Sequence, residues 1–384
     1  MMKHYLQAKI SKSALIHNCN LLRELAGGIK LCVAIKANAY GHGVKQCLEA
    51  FDEANVNILA VACIEEAVEL RCAKWEKPIL ILGSEFSIYR DKQQQEIAEL
   101  IVKNDFRITA TQKKDIDVIS LQAKRLQKKA YIHLMYDSGM SRMGLGEKEF
   151  FELFDYIKRK PEIEIEGLYT HLATADSSDK SFAIAQLNDF KRIIAKIKTT
   201  ANSKIPIIHA ANSGATIDIP ESRFDMIRPG ISIYGYHSSQ QMHNKPQLKP
   251  ALKLISYLTI TKRIPKNSYI GYGCTYKAKQ DMIIGIVPIG YADGYFRELS
   301  NSGKMIIAQQ VVPVIGRVSM DQTIVDLTEA IEHNQSISAG SEITIIDNSR
   351  TSPNSVENLA LLLNTIPNVI VTALNKRIKR IKSR

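Results

Sequence analysis

The chain has 384 residues, 45% of them hydrophobic, and a formal net charge of +12, enough length for two domains with a sizeable core. It has no run of the roughly 18 apolar residues that a membrane span needs, and its first stretch, MMKHYLQAKISKS, lacks the apolar centre of a secretory signal, so a cytoplasmic protein is expected. The six cysteines form no CxxC pair or metal-like spacing, and the basic residues are scattered except in the tail NKRIKRIKSR; free thiols and a solvated surface fit better than a metal site or a nucleic-acid face.

From Leu31 to about Gly230 one unit repeats: a short apolar run, a loop, then an amphipathic stretch. The runs fall at Leu31–Lys36, Ile58–Cys63, Ile79–Gly83, Phe106–Thr109, Ala130–Tyr136, Ile165–His171, Ile205–His209 and Phe224–Arg228. Stretches such as IEEAVELRCA and SFAIAQLNDFKRIIAKI separate them, with apolar residues at three- and four-residue spacing. Eight such units predict an α/β fold, an N-terminal (β/α)8 TIM-like barrel over residues 1–240.

After Tyr236 comes SSQQMHNKPQLKP, a polar, proline-flanked linker. Beyond it LKLISYLTITKRI, MIIGIVPIG, KMIIAQQVVPVIG, TIVDL, SEITIID and NVIVTAL read as strands, and only SVENLALLLN reads clearly as a helix. A mainly β C-terminal domain over residues 241–384 is expected.

In a barrel enzyme the chemistry sits at the C-terminal ends of the strands. Those positions hold Lys36, the segment Tyr136-Asp137 running into SGMSRMG, His171, HAANSG and RPG. Each alone is ordinary: a solvated lysine, a structural histidine, common turn punctuation. The loops after the seventh and eighth strands, however, are where barrels bind phosphate, and here they offer Ser213 and the Gly230 and Ile231 amides. With a lysine across the mouth, a phosphorylated aldehyde held as an imine fits, and pyridoxal 5′-phosphate (PLP) answers that description.

VAIKANAYGHG, DSGMSRMG, GLYTHLATAD, HAANSGA, MIRPGISIYG, GYGCTY, PIGYADGY and GRVSMDQ stand in order across nearly the whole chain. Together they resemble the alanine racemases, PLP enzymes with a barrel followed by a β domain. The resemblance implies that Lys36 carries PLP. It places Tyr40, Asn212, Ser213, Gly230 and Ile231 around the cofactor, with Arg228 at the pyridine nitrogen and His171 bonded to Arg228 or positioning the second base. That base would be Tyr272, supplied across a homodimer interface. Arg142 and the Met320 amide would hold the substrate carboxylate, and Tyr291 would line the access path. L- and D-alanine are the implied substrates, and D-alanine for peptidoglycan the implied product; no metal, nucleic acid or membrane is implied.

Racemisation needs a proton removed on one face of Cα and returned on the other, hence two bases. An arginine at the ring nitrogen keeps its own proton, because its pKa lies above about 12, and so leaves the ring largely neutral. Two positions depart from the family pattern. Met135 stands where many members carry a lysine, often carbamylated, that braces the substrate arginine; a chloride, a carboxylate or simple packing are the open replacements. Lys376 stands where a phosphate-contacting tyrosine is common, with contact and solvent both open. The alternative functional reading is an amino acid racemase of broader specificity on the same fold.

Overall fold

The computed structural model describes residues 4–201 and 205–383. After β1 (Gln7–Ser11) and the helix Lys12–Leu25 come eight strands that alternate with helices: β2 (Lys30–Ala34), β3 (Ile58–Val61), β4 (Ile79–Ile81), β5 (Phe106–Ala110), β6 (Ala130–Met135), β7 (Ile163–Tyr169), β8 (Ile207–His209) and β9 (Met226–Ile227). They form one parallel sheet in the order β8-β7-β6-β5-β4-β3-β2-β9. The Asp225 N–H donates to Ile208 C=O at 3.0 Å and the Arg228 N–H to Ala211 C=O at 2.7 Å, which brings β9 back onto β8. The result is the TIM-like barrel that the alternation predicts.

Period-2 alternation sorts the strand residues. Leu31, Leu59, Ile79, Ile108 and Leu134 pack outward in the large core beneath the helices. Cys32, Ile58, Ala60, Leu80, Ile207 and Met226 form a separate apolar cluster on one side of the lumen. On the other side the alternate positions are Arg107, Thr109, His133, Tyr169, His209 and Arg228, all buried. A half-polar lumen of this kind costs stability unless every group finds a partner.

The linker has no helix or strand, yet it is tightly held. Asp218 accepts hydrogen bonds from the His243 and Asn244 amides at 2.9 Å each and pairs with Lys180 at 2.9 Å. Asn18 bonds both polar atoms of the Lys249 backbone, at 2.8 Å each.

The C-terminal region is mainly β, as expected. Its strands are β10 (Leu252–Tyr257), β11 (Ile260–Ile264), β12 (Tyr269–Ile270), β13 (Tyr276–Lys277), β14 (Met282–Val287), β15 (Lys304–Ile307), β16 (Gln310–Pro313), β17 (Thr323–Asp326), β18 (Glu342–Ile346) and β19 (Lys379–Ser383). The largest sheet runs β16-β15-β18-β10-β1-β19. Thus β1, from the start of the chain, lies antiparallel to β10 and parallel to β19. The charged tail is the edge strand of this sheet.

Two expectations are corrected. NVIVTAL is not a strand: Pro367–Thr372 is a helix, with proline in its first turn. The β-branched residues suggested a strand, but proline fits a helix start and Ile370 and Val371 are buried by it. Thr328–His333 is also helical, so SVENLALLLN, which contains the helix Val356–Leu362, does not stand alone.

Candidate active site

The strand ends β2, β7, β8 and β9 converge on a cavity of about 290 Å³. Lys36, Tyr40, Arg142, His171, Asn212, Ser213, Arg228, Gly230 and Ile231 all line it, together with Asp176, Ile366 and Asn368. These residues come from six separate stretches of sequence.

Lys36 begins a turn of unusual hand. Ala37, Asn38, Ala39 and Tyr40 have φ of 53°, 52°, 56° and 50°, and Gly41 follows at 77°. Left-handed backbone costs roughly 1–2 kcal/mol for each residue with a side chain, so the turn persists only because its surroundings impose it. Glu66 accepts from Ala37 N–H at 2.7 Å and from Ala62 N–H at 2.8 Å, tying the Lys36 turn to the end of β3. Asn38 Oδ1 accepts from Val44 N–H at 3.0 Å, and the Tyr40 ring stacks on Tyr234 at 5.1 Å.

Among the described residues the Lys36 ammonium has no hydrogen bond or ion pair. Burial lowers its pKa, and the Arg142 and Arg228 charges lower it further, against an opposing pull from Glu66. The outcome is a lysine poised to lose its proton more readily than an exposed one.

Across the cavity Ser213 Oγ accepts from Gly230 N–H at 2.8 Å and Ser232 N–H at 3.3 Å. A Cβ on Gly230 would come within 2.4 Å of Tyr40 Oη, so glycine is what lets the phenol reach this cradle. Burial pushes the Tyr40 phenol up to about 12, which keeps it a proton donor. Asn212 is engaged in the fold itself: Oδ1 caps the helix Ser213–Asp218 at Ala215 N–H, 3.0 Å, and Nδ2 donates to Leu172 C=O at 3.0 Å.

Arg228 is 4% exposed. Its Nη1 donates to His209 Nδ1 at 2.6 Å, and its Nη2 donates to Thr170 C=O at 3.1 Å and His171 Nδ1 at 3.2 Å. Burial, with the charges of Arg228, Arg142 and Lys36, pushes His171 down to about 3. His171 is therefore a neutral acceptor for Arg228.

Arg142 reaches the cavity from an exposed loop without an ion pair among the described residues. Asp137 shapes that loop by accepting from Gly139 and Ser141 N–H at 2.9 and 3.1 Å, rather than by touching Arg142. Met135 is 3% exposed, and a Cβ on Gly144 would lie 3.2 Å from its Cγ; it is a packed side chain. Lys376 is exposed and does not line the cavity.

Tyr272, Tyr291 and Met320 do not line the cavity of their own chain. They are 72%, 44% and 53% exposed on neighbouring turns of the β region. Tyr291 N–H donates to Ser319 C=O at 3.1 Å and Ala292 N–H to Met320 C=O at 3.0 Å.

Glu66 and His209 shape the site without being among the residues that the sequence predicts for it. Glu66 sits in the first turn of Ile64–Cys72, where an acid is ordinary because it favours the helix dipole. His209 had a better signal: a histidine at a lumen-facing position of an otherwise apolar strand.

Residues 10–238 match the family described as "Alanine racemase, N-terminal domain" and residues 251–382 "Alanine racemase, C-terminal domain". Alanine racemase of Methanococcus maripaludis is 36% identical, over 99% of this chain and 99% of its own. Among solved structures, alanine racemase from the D-cycloserine producer Streptomyces lavendulae is similar with a TM-score of 0.90 and 28% identity, covering 100% of this chain and 98% of its own. Alanine racemase from Bartonella henselae with covalently bound pyridoxal phosphate has a TM-score of 0.84 and 27% identity, covering 99% of this chain and 100% of its own.

Proposed function

The chain belongs to the alanine racemase family and interconverts L- and D-alanine; we propose that it does so in the cytoplasm as a homodimer, with PLP at Lys36 and Tyr272 of the partner subunit as the opposing base. The D-alanine formed serves peptidoglycan.

The observation that carries this reading is the cavity itself: Lys36, unpaired among the described residues, faces a cradle of Ser213 Oγ, Tyr40 Oη and the Gly230 turn. The cradle suits a phosphate, since its groups are hydrogen-bond donors and two arginines charge the cavity positively. PLP, when bound, supplies the electron sink that makes the α-proton of an attached amino acid removable.

The chain's own residues do the rest. Lys36, its proton affinity lowered, moves the proton on one face of Cα. Arg228 would face the pyridine nitrogen and keep its own proton, which would favour prompt return of the Cα proton over its loss elsewhere. Arg142 and the Met320 amide of the partner subunit hold the carboxylate, and the partner's Tyr291 lines the way in.

Tyr272 on its own chain points to solvent, so the second face must be served by another copy. Two exposed apolar patches suit that pairing: Tyr269, Tyr272 and Met320 on the β region, and Leu361, Leu362 and Ile366 beside the cavity mouth. Exposed patches of this kind mark interfaces, and a two-fold dimer buries one against the other twice.

The test is alanine turnover in deuterium oxide, followed by NMR at Cα from each enantiomer. Deuterium entering the inverted product ahead of the recovered substrate, starting from either enantiomer, is expected. Inversion with complete retention of the original proton, or no reaction once PLP is added, would overturn the two-base reading.

A further inference from the structure

Arg228 is a buried cation with no carboxylate in hydrogen-bond or ion-pair contact among the described residues. A continuous chain of hydrogen bonds nevertheless links it to one. His209, bonded to Arg228 through Nδ1, reaches His133 Nδ1 through Nε2 at 2.9 Å; His133 Nε2 reaches Glu166 Oε2 at 3.1 Å. Glu166 is gripped from the far side by Arg107, with Nε and Nη2 each at 3.0 Å from a different carboxylate oxygen. Arg107 also pairs with Asp105 at 2.8 Å. These are the polar positions of the barrel lumen.

The proton positions in this chain follow from donor and acceptor rules alone. Arginine only donates, so His209 Nδ1 must accept and its proton sits on Nε2. That proton can only be given to His133 Nδ1, so the His133 proton also sits on Nε2. It is given to the Glu166 carboxylate, which only accepts. Burial holds both rings neutral, helped by the Arg228 charge.

The backbone makes room for this arrangement. A Cβ on Gly167 would stand 2.2 Å from His133 Nδ1, and the β6–β7 register shifts between Ile132 and His133. Glycine and an irregular register both serve to bring the imidazole flat against the neighbouring strand. The Tyr169 ring stacks on His209 at 4.8 Å and 8° and lies under Arg228 at 5.0 Å.

We propose that Glu166 and His133 are positioning residues for Arg228, acting through His209 as a one-directional relay from a carboxylate two rings away. A carboxylate touching Arg228 directly would take a pair of its N–H groups. The relay instead occupies one, transmits the carboxylate's polarisation, and leaves other guanidinium donors to face the cavity. This rests on the reading that Arg228 meets the pyridine nitrogen.

Two measurements test it. Long-range 1H–15N NMR on histidine-labelled holoenzyme and apoenzyme should find His133 and His209 as Nε2–H tautomers at neutral pH. A proton on Nδ1 of either ring overturns the relay, and this needs no variant. In the second, Glu166→Gln and Arg228→Lys holoenzymes are compared by cofactor absorbance and by kcat against KM. Glu166→Gln should lower kcat by on the order of 10-fold, the range seen when the outer partner of a ligating histidine is removed. It should also shift the absorbance in the same direction as Arg228→Lys, with KM little changed. If Arg228→Lys shifts the spectrum and Glu166→Gln does not, the relay fails while the reading of Arg228 stands. If neither shifts it, that reading fails, and the relay with it. Should Glu166→Gln not fold, the tautomers in the native protein decide.

Discussion

Gly230 and Tyr40 show how tightly the anion cradle is drawn. The space a side chain would need at residue 230 is already filled by the Tyr40 hydroxyl, 2.4 Å from where a Cβ would lie. Tyr40 cannot easily retreat, because it is 8% exposed and stacked on Tyr234. Overpacking of this sort typically costs 1–3 kcal/mol. Gly230→Ala should therefore weaken PLP binding by roughly 10- to 100-fold, measured by titrating the apoenzyme with cofactor. Unchanged affinity would mean that the Tyr40 hydroxyl does not belong to the phosphate site. Several single residues of this kind were legible inside the motifs: Lys36, Ser213, Arg228 and Gly230 line one cavity. Glu66 was not, because what distinguishes it is a pair of backbone N–H groups, one of them 29 positions away.

The left-handed turn from Ala37 to Gly41 is the element on which Lys36 stands, and the C-terminal region holds it in shape. Arg380 Nε donates to Gly41 C=O at 3.0 Å, and a Cβ on Gly41 would lie 1.9 Å from Val371 C=O. Gly41 thus lets the helix Pro367–Thr372 lie backbone to backbone against the turn. Gly28 has a similar φ of 79° but open space around it. Gly28→Ala should cost only the backbone penalty of about 1–2 kcal/mol. Gly41→Ala should add a clash on top, roughly a further 1–3 kcal/mol, read as the difference between two urea midpoints. Equal midpoints would show that the helix moves aside freely. The strand–helix alternation that predicts the barrel comes through in eight strands, each within three residues of its expected bounds. The turn had no such signature: local propensities forbid four successive left-handed residues with side chains, and only contacts far along the chain make them possible. The same long-range packing turned NVIVTAL from the expected strand into a helix.

At the scale of the whole molecule, the two regions divide the labour unevenly. The barrel supplies the cavity that Lys36 lines, while the β region carries Tyr272 on an exposed turn outside that cavity. The proposed function assigns activity to a pair of copies, and such pairing has an arithmetic consequence. In a dimer of Lys36→Ala with Tyr272→Phe, one of the two sites receives both lesions and the other receives both native residues. Each variant alone should be nearly inactive. When the two are co-expressed in equal amounts and pair at random, half the dimers are mixed, each with one intact site. The mixture should recover about one quarter of the native rate per site. Of these two variants only Lys36→Ala should weaken PLP binding, which should be undiminished in Tyr272→Phe; this separates cofactor capture from proton transfer. Recovery no greater than the sum of the two variants would place both bases on one chain, and the exposed Tyr272 turn would then have to fold inward on its own cavity.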